Sequence, residues 1–297
     1  RALRFPPLAS RLSPLFFPLA PVRHLRCGRF LLALDRPLIM GVVNVTPDSF
    51  SDGGRYATTE HAVAHARSLI AEGAGILDVG GESTRPGAAS VTLEEERRRV
   101  LPVLEALQDC GVPVSVDTQK PALMREAIAA GAAMVNDISA LAAPGAHEAG
   151  ADTAAAVCLM HKQGDPQTMQ HNPHYEDVVS EVKQFLVERV TAAERAGIGR
   201  ARIVIDPGFG FGKTFENNLA LLRELRQLAA LGVPVLAGLS RKSMLGKITG
   251  RGVGERVFAS VAAALIAVKN GARILRVHDV AATRDALAVW TAVMGNE

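Results

Sequence analysis

The chain has 297 residues, 48% of them apolar and 21% charged, and its formal net charge is +3. This composition excludes a disordered chain and a collagen-like rod, and no apolar run approaches the roughly 18 residues of a membrane span. Cys27, Cys110 and Cys158 are too scattered for a disulfide framework or a zinc site, so we expect a cytoplasmic protein.

The first thirty residues differ in charge from the rest of the chain. They hold six arginines and no acidic residue, so they carry +6, and residues 31–297 carry the difference from +3, which is −3. The positive charge therefore does not indicate a nucleic-acid-binding surface. Residues 1–22 contain five prolines and no regular apolar period. We expect residues 1–30 to be a disordered basic extension, with a targeting segment as the alternative, and residues 31–297 to be one domain.

Eight short apolar runs follow one another along the rest of the chain. Each has four to seven residues and is apolar on both faces, which is typical of parallel strands covered on both sides. The runs are LIMGVVN (38–44), ILDVG (76–80), VPVSVD (112–117), MVND (134–137), AAVCLMH (155–161), IVID (203–206), PVLAGLS (234–240) and ILRVH (274–278).

Helical periods separate these runs, and several of the predicted helices end in glycine, the residue preferred at a left-handed cap. The predicted helices are 60–72, 93–107, 121–130, 175–196, 215–231, 255–269 and 281–294, with only a poor helix within 141–154. Eight strands alternating with helices predict an α/β fold of the (β/α)8 TIM barrel type. A doubly wound open sheet is the alternative, but no GxGxxG follows the first strand.

Every predicted strand ends in polar or ionisable residues. In a barrel these ends meet at one face, where catalytic groups lie. The residues are Asn44, Asp78, Asp117, Asn136, Asp137, His161, Asp206, the run Ser240 to Ser243, Arg276 and His278. Carboxylates and amides suit a flat heterocycle rich in N–H donors, whereas Lys242, Arg276 and His278 suit a phosphate-type anion.

Glycine-rich segments accompany this face. SDGG (51–54) and GGESTRPG (80–87) follow the first two strands, and we interpret them as loops that close over a ligand. DPGFGFGKT (206–214) lacks the Walker A spacing, so its glycines are expected to let the backbone approach a ligand, with Phe209 or Phe211 as an apolar wall. Cys158 is interpreted as a core residue rather than a nucleophile.

Eight motifs taken together resemble one enzyme family. They are NVTPDSFSDGG (44–54), GGESTRPGA (80–88), SVDT (115–118), NDIS (136–139), LMH (159–161), DPGFGFGK (206–213), LSRKS (239–243) and RVHDV (276–280). Their order and spacing over residues 27–295 are similar to those of dihydropteroate synthases, a pterin-binding family.

The resemblance implies a homodimeric TIM barrel that acts in folate biosynthesis. Its reaction joins p-aminobenzoate to 6-hydroxymethyl-7,8-dihydropterin diphosphate and releases diphosphate and 7,8-dihydropteroate, with Mg²⁺ as cofactor; sulfonamides mimic p-aminobenzoate. Both substrates are small molecules, and no nucleic acid or membrane is implied. Because a neutral arylamine attacks a carbon whose positive charge the pterin can delocalise, an SN1-like displacement is expected.

The resemblance also implies roles for individual residues. Asp206, Asp117, Asn136 and Lys242 are expected to bind the pterin, while Arg276, His278, Asn44 and Thr84 hold the diphosphate. Asn44 would ligate Mg²⁺, which prefers oxygen ligands. Catalytic roles fall to Lys242 and, from the loops, to Asp48 and Arg85. Ser243 and Phe211 are candidates for the p-aminobenzoate pocket.

Two alternatives stay open from the sequence. A pterin-binding, corrinoid-dependent methyltransferase would share the carboxylates but would have little use for the TRPG and SRKS loops. A non-catalytic pterin-binding homologue would be expected to lose loop or anion-binding residues, whereas Thr84, Arg85 and Lys242 are all present.

Overall fold

Eight parallel strands close into a barrel in the computed structural model, which describes residues 22–45, 55–83, 90–165, 168–170 and 172–295. The strands are β3 (Leu38–Asn44), β4 (Ile76–Gly80), β5 (Val114–Asp117), β6 (Met134–Asp137), β7 (Ala156–Met160), β8 (Ile203–Asp206), β9 (Val235–Ala237) and β10 (Ala272–Val277). Their order around the barrel is β10-β3-β4-β5-β6-β7-β8-β9. The predicted TIM barrel is therefore confirmed.

Helices surround this barrel and bury its outer face. They are α1 (Arg55–Glu72), α2 (Leu93–Ala106), α3 (Pro121–Ala129), α4 (Ala146–Ala151), α5 (Val178–Arg195), α6 (Phe215–Arg223), α7 (Arg226–Ala229), α8 (Ser243–Thr249), α9 (Val257–Lys269) and α10 (Val280–Met294). The single helix expected over 215–231 is two helices, because the first ends at a cap on Glu224. Helix α8 was not predicted.

The interior of the barrel changes from apolar to polar along the strands. Residues two apart on a strand face the same side. Four buried apolar residues at the amino ends are each followed, two positions later, by a polar one: Ile76 by Asp78, Met134 by Asn136, Val204 by Asp206 and Ile274 by Arg276. The amino-terminal half of the interior is thus a packed core, and the carboxyl-terminal half carries the ionisable groups.

A short antiparallel hairpin precedes the barrel, formed by β1 (His24–Cys27) and β2 (Phe30–Ala33). Leu25 and Cys27 are fully buried in one apolar cluster with the amino-terminal barrel residues, and Cys27 Sγ donates to the Ala133 carbonyl over 3.3 Å. The expected disorder of residues 1–30 is therefore wrong for 24–30. Alternate side chains of β1 are buried, but four residues are too few for that period to be recognised in the sequence.

None of the helices in the described ranges is both long and apolar enough to cross a membrane. Cys27, Cys110 and Cys158 are all free thiols, and Cys27 and Cys158 are buried. Burial raises the pKa of the Cys27 thiol to about 12, so this thiol stays protonated. The interpretation of Cys158 as a core residue is confirmed.

Candidate active site

A cavity of about 550 Å³ opens at the carboxyl-terminal end of the barrel. Its size is within the usual range of small-molecule sites, and it lies where barrel enzymes place their chemistry. Nine of the twelve residues to which the resemblance assigns a role line it, namely Asn44, Asp117, Asn136, Asp206, Phe211, Lys242, Ser243, Arg276 and His278. Asp48, Thr84 and Arg85 lie outside the described residues.

Arg276 is the centre of the ion pairs at the floor of this cavity. Its Nε donates to Asp78 Oδ2 over 2.6 Å, and its Nη2 donates to Asp117 Oδ2 over 2.8 Å. Asn136 Nδ2 donates to the same oxygen of Asp78 over 3.1 Å. One guanidinium therefore joins two carboxylates that come from different strands.

Burial changes the proton affinity of these groups. Burial and the charges of Asp78, Glu96 and Asp137 raise the pKa of Asp117 to about 7, although Arg276 acts in the opposite direction. Burial lowers the pKa of Arg276, but Asp78 and Asp117 outweigh it and the net shift is upward. Arg276 therefore stays charged, while the ionisation of Asp117 changes near neutral pH.

Asp206 lies at the end of β8 with its carboxylate at the cavity wall. Its Oδ1 accepts the Gly208 N–H over 2.7 Å. Burial raises the pKa of Asp206, and the Gly208 N–H and Lys242 offset part of that rise. Lys242 Nζ lies 4.3 Å from the centroid of the Phe211 ring, a cation–π distance. The wall thus combines a carboxylate acceptor, a cation and an aromatic face.

The segment from Ser240 to Ser243 is fixed by contacts to the amino-terminal ends of α9 and α10 and the residues that precede them. Arg241 has a left-handed φ of 59°, which is uncommon for a residue with a side chain. Its N–H donates to Ser260 Oγ over 2.9 Å, its carbonyl accepts from Arg256 Nη1 over 3.0 Å, and its guanidinium pairs with Asp279. This turn places Lys242 beside Phe211.

His278 lies on the next strand end, beside the same segment. Its backbone N–H donates to Ser240 Oγ over 3.2 Å, and its Nδ1 is 3.0 Å from that oxygen. The contact links the end of β10 to the end of β9, so the ring of His278 has a fixed position at the cavity wall.

The glycine-rich loop after β8 approaches the backbone of the loop after β7. Gly208 has φ +68°, and a Cβ there would lie 1.9 Å from the His161 carbonyl oxygen; at Gly212, with φ +62°, the distance to the Gln163 oxygen would be 2.2 Å. Protein backbone is therefore the neighbour that requires glycine at both positions. Gly208 also lines the cavity, so the expectation that these glycines let the backbone approach a ligand stays a prediction.

Gly208→Ala is expected to destabilise the protein by about 3 kcal/mol or more, because both the left-handed φ and the 1.9 Å approach forbid a Cβ. Thermal unfolding measures this. Gly254→Ala is the matched control, since a Cβ there meets nothing within 4 Å and φ is not left-handed. A melting temperature for Gly208→Ala within 1–2 °C of the control would contradict the proposed steric role.

Lys213 links the loop after β7 to the loop after β8. It is buried, and its Nζ donates to the carbonyls of Phe211 over 3.0 Å and His161 over 3.3 Å, and lies 2.9 Å from His161 Nδ1. Burial and the Lys242 charge lower the pKa of Lys213 to about 7 despite the opposing effect of Asp206. Burial and Lys213 lower the pKa of His161 to about 3, so His161 is neutral.

Several wall residues were not predicted from the sequence. Ile138 and Met160 pack with Phe211 and Met169 into a small apolar cluster at the cavity. Arg256 also lines the cavity. Ile138 follows Asp137 in the NDIS motif and Met160 precedes His161, so their position at strand ends was the available signal; nothing in the sequence marked Arg256.

Comparisons with known proteins agree with this geometry. The family model described as pterin binding enzyme matches residues 40–278. Dihydropteroate synthases of Escherichia coli K12 and Neisseria meningitidis serogroup B are 50% and 53% identical over 264 and 279 residues. The alignments cover 89% and 91% of this chain and 94% and 98% of those proteins. The chain belongs to the dihydropteroate synthase family. It is therefore a transferase of folate biosynthesis.

Solved structures of the dihydropteroate synthase family superpose closely on this barrel. The Xanthomonas albilineans enzyme with 4-aminobenzoic acid has a TM-score of 0.87 at 58% identity and covers 92% of this chain and 98% of its own. The Yersinia pestis enzyme in complex with a sulfonamide drug has a TM-score of 0.86 at 47% identity, covering 91% and 99%. A further X. albilineans structure contains 7,8-dihydropteroate.

Proposed function

We propose that the chain joins p-aminobenzoate to 6-hydroxymethyl-7,8-dihydropterin diphosphate, and that the described cavity is where the two meet. The observation that carries this is the convergence of nine predicted residues on one cavity. Relatives with 4-aminobenzoic acid and with 7,8-dihydropteroate bound support the same substrates.

The pterin occupies the deep part of the cavity. Asp206 accepts N–H groups of the amino-pyrimidinone edge, since a buried carboxylate forms short, charge-assisted bonds to paired donors. Asp117 and Asn136 accept from the ring on other sides, and Lys242 donates to its ring acceptors. Burial of both aspartates supports this, because a carboxylate held away from water is satisfied best by a ligand that brings donors.

The diphosphate lies next to the pterin, beside the basic residues of the cavity. Arg276, His278 and Asn44 bind it, with Thr84 and Arg85 added from the second loop. In the described ranges no group of three His, Cys, Asp or Glu side chains forms a metal site. Mg²⁺ nonetheless fits Asn44, because Mg²⁺ retains waters and takes phosphate oxygens, so one amide oxygen suffices. The cation would neutralise charge on the leaving diphosphate.

The reaction is an SN1-like displacement. The C–O bond between the pterin methylene and diphosphate breaks, and its electron pair leaves with the diphosphate near Arg276 and His278. The pterin spreads the positive charge, which Asp117 and Asp206 stabilise through space. The arylamine nitrogen, placed by Ser243 and Phe211, then forms the C–N bond with its lone pair and gives up one N–H proton to solvent water. Asp48 and Arg85 are assigned to the two reacting groups, the leaving diphosphate and the incoming amine.

Diphosphate release by the purified protein tests the reaction. Release that requires both p-aminobenzoate and Mg²⁺, with formation of 7,8-dihydropteroate, is the expected result. Pterin binding without release would favour a non-catalytic homologue, and methyl transfer to a corrinoid partner would favour the methyltransferase. A substrate-carbon isotope effect typical of concerted displacement would count against the SN1-like step.

A second copy of the chain is the partner that we propose for the face of α9 and α10. Apolar side chains are exposed there on two adjoining helices, with Phe258 88% exposed on α9 and Val289 and Val293 66% and 75% exposed on α10. Exposed apolar side chains on neighbouring helices are typical of an interface. Homodimers are also the common form of soluble oligomer.

Phe258→Glu is expected to convert the dimer to a monomer, because it places a charge at the centre of an apolar interface. Light scattering after size-exclusion chromatography measures the mass. Val187→Glu is the matched control, since Val187 is an exposed apolar residue on α5, away from this face. A dimer that survives Phe258→Glu as it survives Val187→Glu would rule out this face.

We also infer a cytoplasmic location. Two of the three cysteines are buried as thiols, which fits a reducing compartment. Fractionation of cells that express the full chain tests this location, and it also tests whether residues 1–30 act as a targeting segment.

A further inference from the structure

Asp78 lies one layer below the cavity, inside the barrel. It is completely buried and is not part of the cavity wall. Its Oδ2 accepts from two residues that do line the wall, Arg276 and Asn136, over 2.6 Å and 3.1 Å. These residues belong to β10 and β6, each two places from β4 around the barrel, on opposite sides of it.

We propose that Asp78 is a positioning residue for pterin binding, which holds Arg276 as its permanent counter-ion and sets the orientation of the Asn136 amide. The inference rests on the proposed pterin site. Asp78 itself does not touch the substrate, because the wall residues separate it from the cavity.

The two carboxylates that pair with Arg276 differ in their access to the cavity. Asp117 lines the cavity and can accept from a ligand, whereas Asp78 cannot. When ligand N–H groups donate to Asp117, Arg276 keeps its ion pair with Asp78. Without the Asp78 charge, the ligand would have to compete with the guanidinium for Asp117, and pterin binding would weaken.

The Asn136 amide is oriented by the same oxygen. Because its Nδ2 donates to Asp78, its carbonyl oxygen is the atom that remains to accept an N–H from the ring. An amide at position 78 could present a donor instead and reverse this orientation.

The burial of Asp78 supports a role beyond packing. Its Oδ1 is buried with no hydrogen-bond partner among the described residues, and Ser115 Oγ, its register neighbour on β5, is in the same state. An incompletely satisfied buried carboxylate is unfavourable for folding, so its presence calls for another purpose.

The charge of Asp78 also acts on Asp117. The charged groups facing Asp117 are Asp78 on β4, Arg276 on β10, Glu96 on α2 and Asp137 on β6. Removing the negative charge of Asp78 lowers the pKa of Asp117 from about 7, and it also leaves Arg276 to Asp117 alone, which acts in the same direction. Pterin binding that needs ionised Asp117 would then persist to lower pH.

Asp78→Asn in the full chain tests the proposal. Calorimetric titration with 6-hydroxymethylpterin between pH 5 and 8.5 gives the affinity and the midpoint of its fall on the acid side. We expect affinity at pH 8 to fall about tenfold and the midpoint to move down by about one pH unit. The titration of the ligand itself is common to both proteins and cancels in the comparison.

Ser115→Ala is the matched control, because it removes a buried polar atom from the same layer without changing charge. It is expected to keep the wild-type midpoint and affinity. An unchanged midpoint in Asp78→Asn, or an equal change in Ser115→Ala, would overturn the proposal.

Asp78→Glu serves if Asp78→Asn does not fold, since it retains the charge and is expected to keep the midpoint while binding more weakly. A midpoint lowered by one unit in Asp78→Glu would overturn the proposal. Wild-type protein that does not bind the pterin would overturn the pterin site itself, and this inference with it.

Discussion

Arg276→Met is expected to lower the stability of the protein by about 3 kcal/mol and its activity by at least about 100-fold. The substitution leaves the buried carboxylates of Asp78 and Asp117 without their shared cation, and breaking one side of a buried ion pair is strongly destabilising. The loss of stability is not expected to be larger than this, because Asp117, whose pKa is already about 7, can take up a proton. A melting temperature about 6–12 °C lower is expected.

Arg273→Met provides the matched control for this experiment. Arg273 belongs to the same strand, lies toward its amino-terminal end, and makes no ion pair among the described residues. Its replacement should change stability by less than about 0.5 kcal/mol. Equal losses in the two variants would mean that the strand, and not the ion pairs, accounts for the effect.

The double variant Asp78→Asn/Arg276→Met separates charge from packing. It removes one carboxylate together with the cation. Its melting temperature should therefore be well above that of Arg276→Met and closer to that of the wild type. Activity should not recover, because the cavity still lacks the guanidinium. A double variant as unstable as Arg276→Met would show that uncompensated charge is not the cause.

Much of this site followed from the sequence because one rule of barrel geometry links sequence position to space. Each apolar run ends at the same face, so Asn44, Asp117, Asp206 and His278 could be assigned to one cavity although they lie far apart in the chain. Their individual contacts could not be assigned in the same way.

The contacts depend on the register of the strands and on the closure of the barrel. The apolar periodicity of the sequence specifies neither. Arg276 and Asp78 are 198 positions apart, and they meet only because β10 pairs with β3 and closes the barrel. Lys213 was visible in the sequence only as the last residue of the DPGFGFGK motif, and its bonds to His161 and Phe211 depend on how two loops pack together. The β1–β2 hairpin was missed because its strands are only four residues long.

Asp206→Asn is expected to weaken pterin binding about 100-fold while leaving the melting temperature unchanged or slightly raised. Burial raises the pKa of Asp206, so the ionised carboxylate is unfavourable in the empty protein, and a neutral amide removes that penalty. The Asn carbonyl can still accept the Gly208 N–H, which Asp206 Oδ1 accepts over 2.7 Å. The affinity falls because an amide offers a donor where paired ligand N–H groups need an acceptor.

Asp137→Asn is the contrasting variant, because Asp137 is also a fully buried aspartate at a strand end. Both of its oxygens accept backbone N–H groups, from Ser139 over 2.7 Å and Leu141 over 2.8 Å, so an amide there leaves one of those donors facing another donor. We expect Asp137→Asn to lose about 1–3 kcal/mol of stability. The two substitutions should thus have opposite effects: one on affinity with the fold intact, the other on the fold. If Asp206→Asn binds the pterin within threefold of wild type, the amino-pyrimidinone edge has another acceptor, and Asp117 becomes the candidate.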